Sequence, residues 1–376
     1  MTNFDEMIPR KSTDSVKWDK LDGDYIPMWV ADMDFRSPQP MLDALEKRLK
    51  HGVFGYQLIP DELINAIVAH YEKRFGCAIS KDWLVWIPSV MPGANLACRL
   101  GGGKIMYTIP MYSHIRRLPA EAHTGVVEVM MKVIDGKYYM DIDAMEAALT
   151  PDVTTFILCN PHNPVGRVYT PEEISQVVDF CQRHRLLLVS DEIHCELVFE
   201  GKHTPLISLG EKAKEYSITL TSAGKICNIP GLPYGFAIIP NAKLRATYED
   251  ICNGLFSPPN TLSVEALKCA FDGSCDEWKA ELIEYLRENR DYLEKRISRI
   301  AGLSVVHNEG TYLAWIDCTG AGIPDPSDFF FRNARVYFNG SQEFGIVDGF
   351  VRCNFGCSRA QLTESLDRVE ASLASR

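Results

Sequence analysis

The sequence predicts an α/β protein: a mainly parallel central sheet with a smaller α+β domain beside it. Three observations lead there. Short apolar runs of strand length alternate with helix-patterned runs through the middle of the chain. Polar motifs fall at the ends of those apolar runs. The last third changes character, with a long charged helical stretch followed by a hairpin-like pair of strands. A length of 376 residues fits two domains. We expect an N-terminal arm and part of the small domain over residues 1–40, a large domain over 41–257, and the rest of the small domain over 258–376.

Each element has a local reason. "SPQPMLDALEKRLKHG" (Ser37 to Gly52) reads as a capped helix with Gly52 at its C-terminus. "DELINAIVAHYEKRFG" (Asp61 to Gly76) is a second helix, and the aromatic-rich "VFGYQLIP" (Val53 to Pro60) joins them. "TTFILCN" (Thr154 to Asn160) is a β-rich apolar run that ends in turn residues. In "TPEEISQVVDFCQRH", Thr170 is the expected N-cap, Pro171 the first helical residue and Glu173 the other half of a capping box. Ile174, Val177, Val178 and Cys181 then give the helical stripe. "LLLVS" (Leu186 to Ser190), "SITLTS" (Ser217 to Ser222) and "YGFAIIP" (Tyr234 to Pro240) are further buried strands. Such uninterrupted apolar strands between helices indicate a sheet covered on both faces. Residues 319–348 look loop-rich, "FVRCNF" (Phe350 to Phe355) is a strand, and Ser358 caps the last helix.

Composition excludes several classes. The formal net charge of −11 argues against non-specific nucleic-acid binding. No apolar run reaches the roughly 18–20 residues of a membrane span. The N-terminal residues lack the apolar core of a secretion signal. Twelve cysteines then read as reduced, buried thiols in a cytoplasmic protein, not as disulfides or a metal set. Cys353 and Cys357 have no further ligands to complete a zinc site.

The chemistry lies in four motifs taken in order: "NPHNPVGR" (Asn160 to Arg167), "SDEIH" (Ser190 to His194), "TSAGKICNIPGL" (Thr221 to Leu232) and "GFVRCNFGCSR" (Gly349 to Arg359). An Asn, an Asp, a Ser-x-x-Lys and a late Arg are the polar groups needed to hold pyridoxal phosphate and an amino acid. A lysine amine forms a Schiff base with the aldehyde, and a carboxylate pairs with the pyridinium nitrogen. The first three motifs sit at the carboxyl ends of predicted strands, where ligands of open α/β sheets bind. "SVMPGANLACR" (Ser89 to Arg99) is a turn opening a helix, whose free N–H groups suit a phosphate.

With "WVADMDF" (Trp29 to Phe35), "HGVFGY" (His51 to Tyr56) and "TYLAWID" (Thr311 to Asp317), these motifs make the chain resemble fold-type I pyridoxal-phosphate enzymes of the aminotransferase class I/II superfamily. It is most similar to the cystathionine β-lyase branch, nearly end to end. The resemblance implies pyridoxal 5'-phosphate as cofactor and Lys225 as Schiff-base lysine and proton shuttle at Cα. It implies Asp191 on the pyridinium nitrogen, Asn163 on the phenolic oxygen and Tyr112 stacked on the ring. Ser222 and the amides at Val90 and Met91 would hold the phosphate. His194 stands where many relatives have Tyr and would contact the cofactor. Val30 and Arg352 would contact the substrate, Arg352 as a fork on its α-carboxylate. Tyr56 would reach the phosphate of a neighbouring subunit, so a homodimer is expected.

The resemblance also bears on the reaction. Many aminotransferases of this fold carry Arg eight residues after the lysine; Pro233 stands there. This favours a C–S β-lyase, releasing pyruvate, ammonia and a thiol from cystathionine or another S-substituted cysteine. An aminotransferase is the alternative, and a regulatory binding protein that retains the cofactor is a third. Two departures from relatives stand out. "RLGGGKIMY" (Arg99 to Tyr107) is short, and three glycines are expected to truncate the preceding helix. "YSHIRR" (Tyr112 to Arg117) replaces a proline-rich continuation, placing Ser113 and His114 near the cofactor face. Arg116 and Arg117 read as surface charges.

Overall fold

The structure, a computed structural model, describes residues 2–376. A seven-stranded sheet forms its centre. In chain order the strands are β1 (Leu84–Ile87), β2 (Lys104–Ile109), β3 (Val126–Met130), β4 (Val153–Cys159), β5 (Leu187–Asp191), β6 (Ser217–Thr221) and β7 (Gly235–Ile238). Their spatial order is β1-β7-β6-β5-β4-β2-β3. All neighbours pair in parallel except β7, which is antiparallel to both β1 and β6. The "YGFAIIP" strand thus runs against the rest.

Alternation along each strand feeds two cores, because successive side chains point to opposite faces. On one face Ile105, Ile157, Val189 and Ile218 pack with Ala94, Leu96 and Ala97 of the helix Val90–Gly101. On the other, Met106, Phe156 and Leu188 pack with Ile174, Val177 and Phe180 of the helix Pro171–His184. That helix starts with the capping box read from the sequence, Thr170 and Glu173 each accepting from the other's backbone N–H. A third core links Met41, Leu63 and Ile67 to Leu267, Leu282, Leu286 and the second sheet's Leu313 and Ile316.

The second sheet is antiparallel, with Ser304–Val305, Leu313–Asp317, Phe350–Asn354 and Asn339–Gly340 in that spatial order. The N-terminal segment joins it. Ile26–Pro27 pairs in parallel with Val336–Tyr337, and Asn354 N donates to Met28 O at 2.8 Å. Residues 28–35 are thereby drawn between the two sheets.

Two local expectations are corrected and a third, the helix stop at the glycine run, is met and extended. Ser37 does not cap the first long helix, which runs Gln39–His51 after Pro38; its hydroxyl donates instead to Asn228 O at 3.1 Å. Gly52 does close that helix, in the left-handed conformation with φ 75°. Residues 319–348 are not simply loop, since they hold the helix Pro326–Asn333, started by Pro326 after an Asp325 cap. The glycine run is also more than a helix stop. Gly102 is the left-handed cap, but a Cβ on Gly101 would lie 2.0 Å from Thr155 Oγ1, and one on Gly103 2.4 Å from Asp152 O. Close approach to β4 demands these glycines, not helix propensity alone.

Candidate active site

The carboxyl ends of β1, β2, β4, β5 and β6 lie on one edge of the sheet, and the sequence motifs extend from them. After β6 comes Lys225. Its Nζ donates to Ala31 O at 2.6 Å, a carbonyl brought in by the N-terminal segment. Burial, together with the positive field of Arg352, lowers the lysine pKa to about 8, against the pull of Asp32 and Asp191. Asp191 ends β5. Burial raises its carboxyl to about 6, opposed by the Ile193 N–H that donates to Oδ1 at 3.1 Å and by Lys225. Lys225, Asp191, Asn163, His194, Tyr112 and Ser222 line one cavity together with Val90 and Met91.

The donor set fits pyridoxal phosphate. His194 lines the cavity and is buried with Nδ1 unpartnered, and burial holds its pKa far below the ordinary value. Asp191 presents a buried carboxylate for a ring nitrogen. The helix Val90–Gly101 opens after Ser89 with no side-chain cap, leaving amides free for a phosphate. Ser222 Oγ donates to Tyr234 O at 2.7 Å and accepts from Gly224 N at 3.1 Å, which fixes the turn before Lys225. Tyr112 is half-buried at the end of β2, its phenol raised to about 12 by burial.

Arg352 arrives from the second sheet. Its guanidinium donates to Asn163 Oδ1 at 3.1 Å, Trp29 O at 2.7 Å and Asn339 Oδ1 at 2.6 Å, and its Nε has no partner. Arg352 and Val30 line a second, larger cavity that also touches Lys225 and Tyr112. Tyr56 lies apart from both cavities in this single chain and is 99% exposed. Pro233, eight residues past Lys225, lines the first cavity.

Several contributors escaped sequence reading. Ala31 acts through its carbonyl, which also accepts from Tyr312 Oη at 2.9 Å. Asn354 Nδ2 donates to Val30 O at 2.5 Å and Asp32 O at 2.6 Å, pinning the same segment. Asn228 clasps Met33 and Phe35. Asn339 orients Arg352 and lies opposite it in the antiparallel register. Only Asn354 carried a signal, two residues after Arg352 and so on the same face of its strand. Arg117 is exposed, in keeping with its reading as a surface charge, and also borders the larger cavity. Arg116 is held by Glu128 at 2.9 Å and by the Gln342 carbonyl.

The cysteines are all unpaired and buried. No group of three or more potential metal ligands occurs among the described residues. No helix among them is long and apolar enough to cross a membrane.

Known proteins share this architecture. The cystathionine beta-lyase PatB of Bacillus subtilis (strain 168) is 33% identical over 388 residues, covering 99% of this chain and 100% of PatB. The crystal structure of OvoB superposes with a TM-score of 0.95 at 38% identity, over all of both chains. The PLP-bound C-S lyase from Staphylococcus hominis gives a TM-score of 0.92 at 29% identity, over 100% of this chain and 99% of its own. Residues 30–369 match the family described as aminotransferase class I and II. A fold-type I architecture, a lysine at the sheet's carboxyl edge and a match over most of the chain agree, and the protein belongs to the aminotransferase class I and II family.

Proposed function

We propose that this protein is a pyridoxal-phosphate-dependent C–S β-lyase that converts an S-substituted L-cysteine and water to a thiol, pyruvate and ammonia. The observation that carries this reading is the convergence of Lys225, Asp191 and Asn163 on one cavity, with Arg352 facing it from the second sheet. The similarity to proteins named as cystathionine β-lyases and C–S lyases supports the reaction class.

Bound pyridoxal phosphate supplies an electron sink for the charge left at Cα when its proton departs. Lys225 would hold its aldehyde carbon, Asp191 its ring nitrogen, Asn163 and His194 its phenolic side, and Tyr112 its ring face. Ser222 and the amides at Val90 and Met91 would hold its phosphate. A lysine with a pKa near 8 has a usable neutral fraction at neutral pH, so Lys225 can take the Cα proton. It then carries a proton for the sulfur as the Cβ–S bond breaks and sulfur leaves with the electron pair. Arg352 suits the substrate carboxylate, because a guanidinium presents a planar fork and stays charged even when buried. The hydrogen bonds to Asn339 and the Trp29 carbonyl fix that fork before substrate arrives.

The working unit in this reading is a homodimer. Tyr56 is exposed beside Val53, Phe54 and Leu58, at 61%, 55% and 83%. An apolar stretch this open fits a surface covered by a second copy, with Tyr56 reaching that copy's phosphate site. A cytoplasmic setting is supported by twelve free thiols. In this reading the N-terminal segment up to residue 40 is an arm and part of the small domain, 41–257 the large domain and 258–376 the rest of the small one.

The test is purified protein with pyridoxal phosphate and L-cystathionine, without a keto acid. Continuing, equimolar release of pyruvate and free thiol supports the lyase. Turnover only after a keto acid is added would replace it with an aminotransferase. Cofactor binding without either turnover would leave a binding role.

A further inference from the structure

Next to Asp191 lies a carboxylate that the chemistry above does not use. Glu192 and His203 form a pair whose side chains are each 1% exposed, with His203 Nε2 and Glu192 Oε2 at 2.9 Å. Strand alternation turns Glu192 away from the cofactor cavity, onto the face of Ser190, whose hydroxyl donates to Glu192 Oε1 at 3.0 Å. The Leu206 N–H donates to the same oxygen at 2.9 Å. Among the described residues no lysine or arginine pairs with this carboxylate. Three donors on two oxygens suit its ionised, acceptor-only form.

The hydrogen bonds also set the form of His203. Asn160 Oδ1 accepts from Tyr169 N at 3.2 Å, so Asn160 Nδ2 faces His203 Nδ1, at 3.5 Å. With a donor opposite Nδ1, the ring proton belongs on Nε2, and His203 meets Glu192 as a neutral donor. The pair therefore keeps a net negative charge. It also ties three strand ends together. Asn160 follows β4, and its N–H donates to Asp191 O at 3.0 Å. Glu192 follows β5; its N–H donates to Leu220 O on β6 at 2.9 Å, and its carbonyl accepts from Thr221 Oγ1 at 3.2 Å. These strand ends carry Asn163, Asp191 and Lys225 into the cofactor cavity.

We infer that Glu192, set by His203, is a positioning residue for the cofactor ring: it places a buried negative charge behind Asp191 that favours a proton on the ring nitrogen. This rests on the reading of Asp191 as that nitrogen's partner, and it holds for a lyase and an aminotransferase alike. A negative charge at short range, little screened by solvent, stabilises a positive ring nitrogen. Burial raises the Asp191 carboxyl, and the Glu192 charge adds in the same direction. A more strongly protonated ring is the better electron sink, yet Glu192 touches neither cofactor nor substrate.

The experiment measures dissociation constants for pyridoxal phosphate and for its 1-deaza analogue, whose ring has carbon in place of the nitrogen, on full-length protein stripped of cofactor and reloaded. Glu192→Gln keeps the shape and removes the charge. It should weaken pyridoxal phosphate by roughly three- to tenfold and leave the analogue within about twofold of wild type. In this variant an amide N–H meets the His203 N–H. Should it not fold, the double variant Glu192→Gln with His203→Gln, in which two amides can pair, carries the same comparison. Weakening of both ligands by the same factor means a purely structural role and overturns the inference, as does no weakening of either. Asp191→Asn separates the two levels: it too should weaken pyridoxal phosphate and not the analogue. If Asp191→Asn weakens neither, the reading of Asp191 falls, and the role of Glu192 with it.

Discussion

Lys225 donates its Nζ hydrogen to the carbonyl oxygen of Ala31 at 2.6 Å, across 194 residues of sequence. The contact joins the turn after β6 to the N-terminal segment that borders the larger cavity. Removing the amine tests both roles. Lys225→Ala should leave a folded protein that lacks the visible absorbance of lysine-bound cofactor, and its elimination rate should fall by about 10²–10⁴ or more. Absorbance and pyruvate release check it; a variant in which borohydride still fixes cofactor to the chain would falsify the assignment.

Because burial lowers Lys225 to about 8, the folded state disfavours its ammonium form. Below about pH 8 the lysine is charged in both folded and unfolded chains, and the folded protein bears the whole penalty. Between there and its ordinary value of about 10.4 the unfolded chain binds more protons, so this group's contribution to stability rises with pH. Lys225→Met removes the penalty. In protein stripped of cofactor, the variant should be the more stable near about pH 7, and its advantage should shrink towards about pH 10. Urea unfolding of both proteins at the two pH values reads the difference.

Arg352 is held by Asn339 at 2.6 Å in a buried setting. Arg352→Lys keeps a charge but loses the fork, so KM for the amino acid should rise by about tenfold or more with cofactor absorbance retained. Asn339→Ala should raise KM in the same direction by a smaller factor, because the guanidinium stays but turns more freely. Unchanged KM in both variants would remove Arg352 from the substrate.

Tyr56 is nearly fully exposed in one chain. If its hydroxyl meets the phosphate of a second copy, Tyr56→Phe should weaken cofactor affinity by roughly tenfold, the worth of one hydrogen bond to a charged group. Phe54→Asp should shift sedimentation from dimer to monomer. A wild-type protein that sediments as a monomer at all concentrations would end the proposal.

Gly101 offers a stability test. Glycine to alanine inside a helix normally stabilises by about 1 kcal/mol. Here the added Cβ meets Thr155 Oγ1 at 2.0 Å, so Gly101→Ala should destabilise by about 1–3 kcal/mol instead. The Thr155 hydroxyl is buried without a partner, and Thr155→Ala should rescue the loss. Thermal denaturation of the single and double variants measures it.

Much of this protein is set by local sequence. The Thr170–Glu173 capping box, the apolar strands and the helix 171–184 follow from periodicity and cap chemistry, which act over a few residues. The site's strand-end motifs were legible for the same reason: a parallel sheet puts successive carboxyl ends on one edge, so Asn163, Asp191 and Lys225 must gather once the strands are known. Tertiary structure decided the rest. The reversed direction of β7, the Ala31 carbonyl on Lys225, Asn339 beside Arg352 and the contrasting fates of Arg116 and Arg117 depend on which distant segments meet. Backbone carbonyls carry no residue-specific signal, and an exposed arginine looks like its paired neighbour until the surrounding carboxylates are placed.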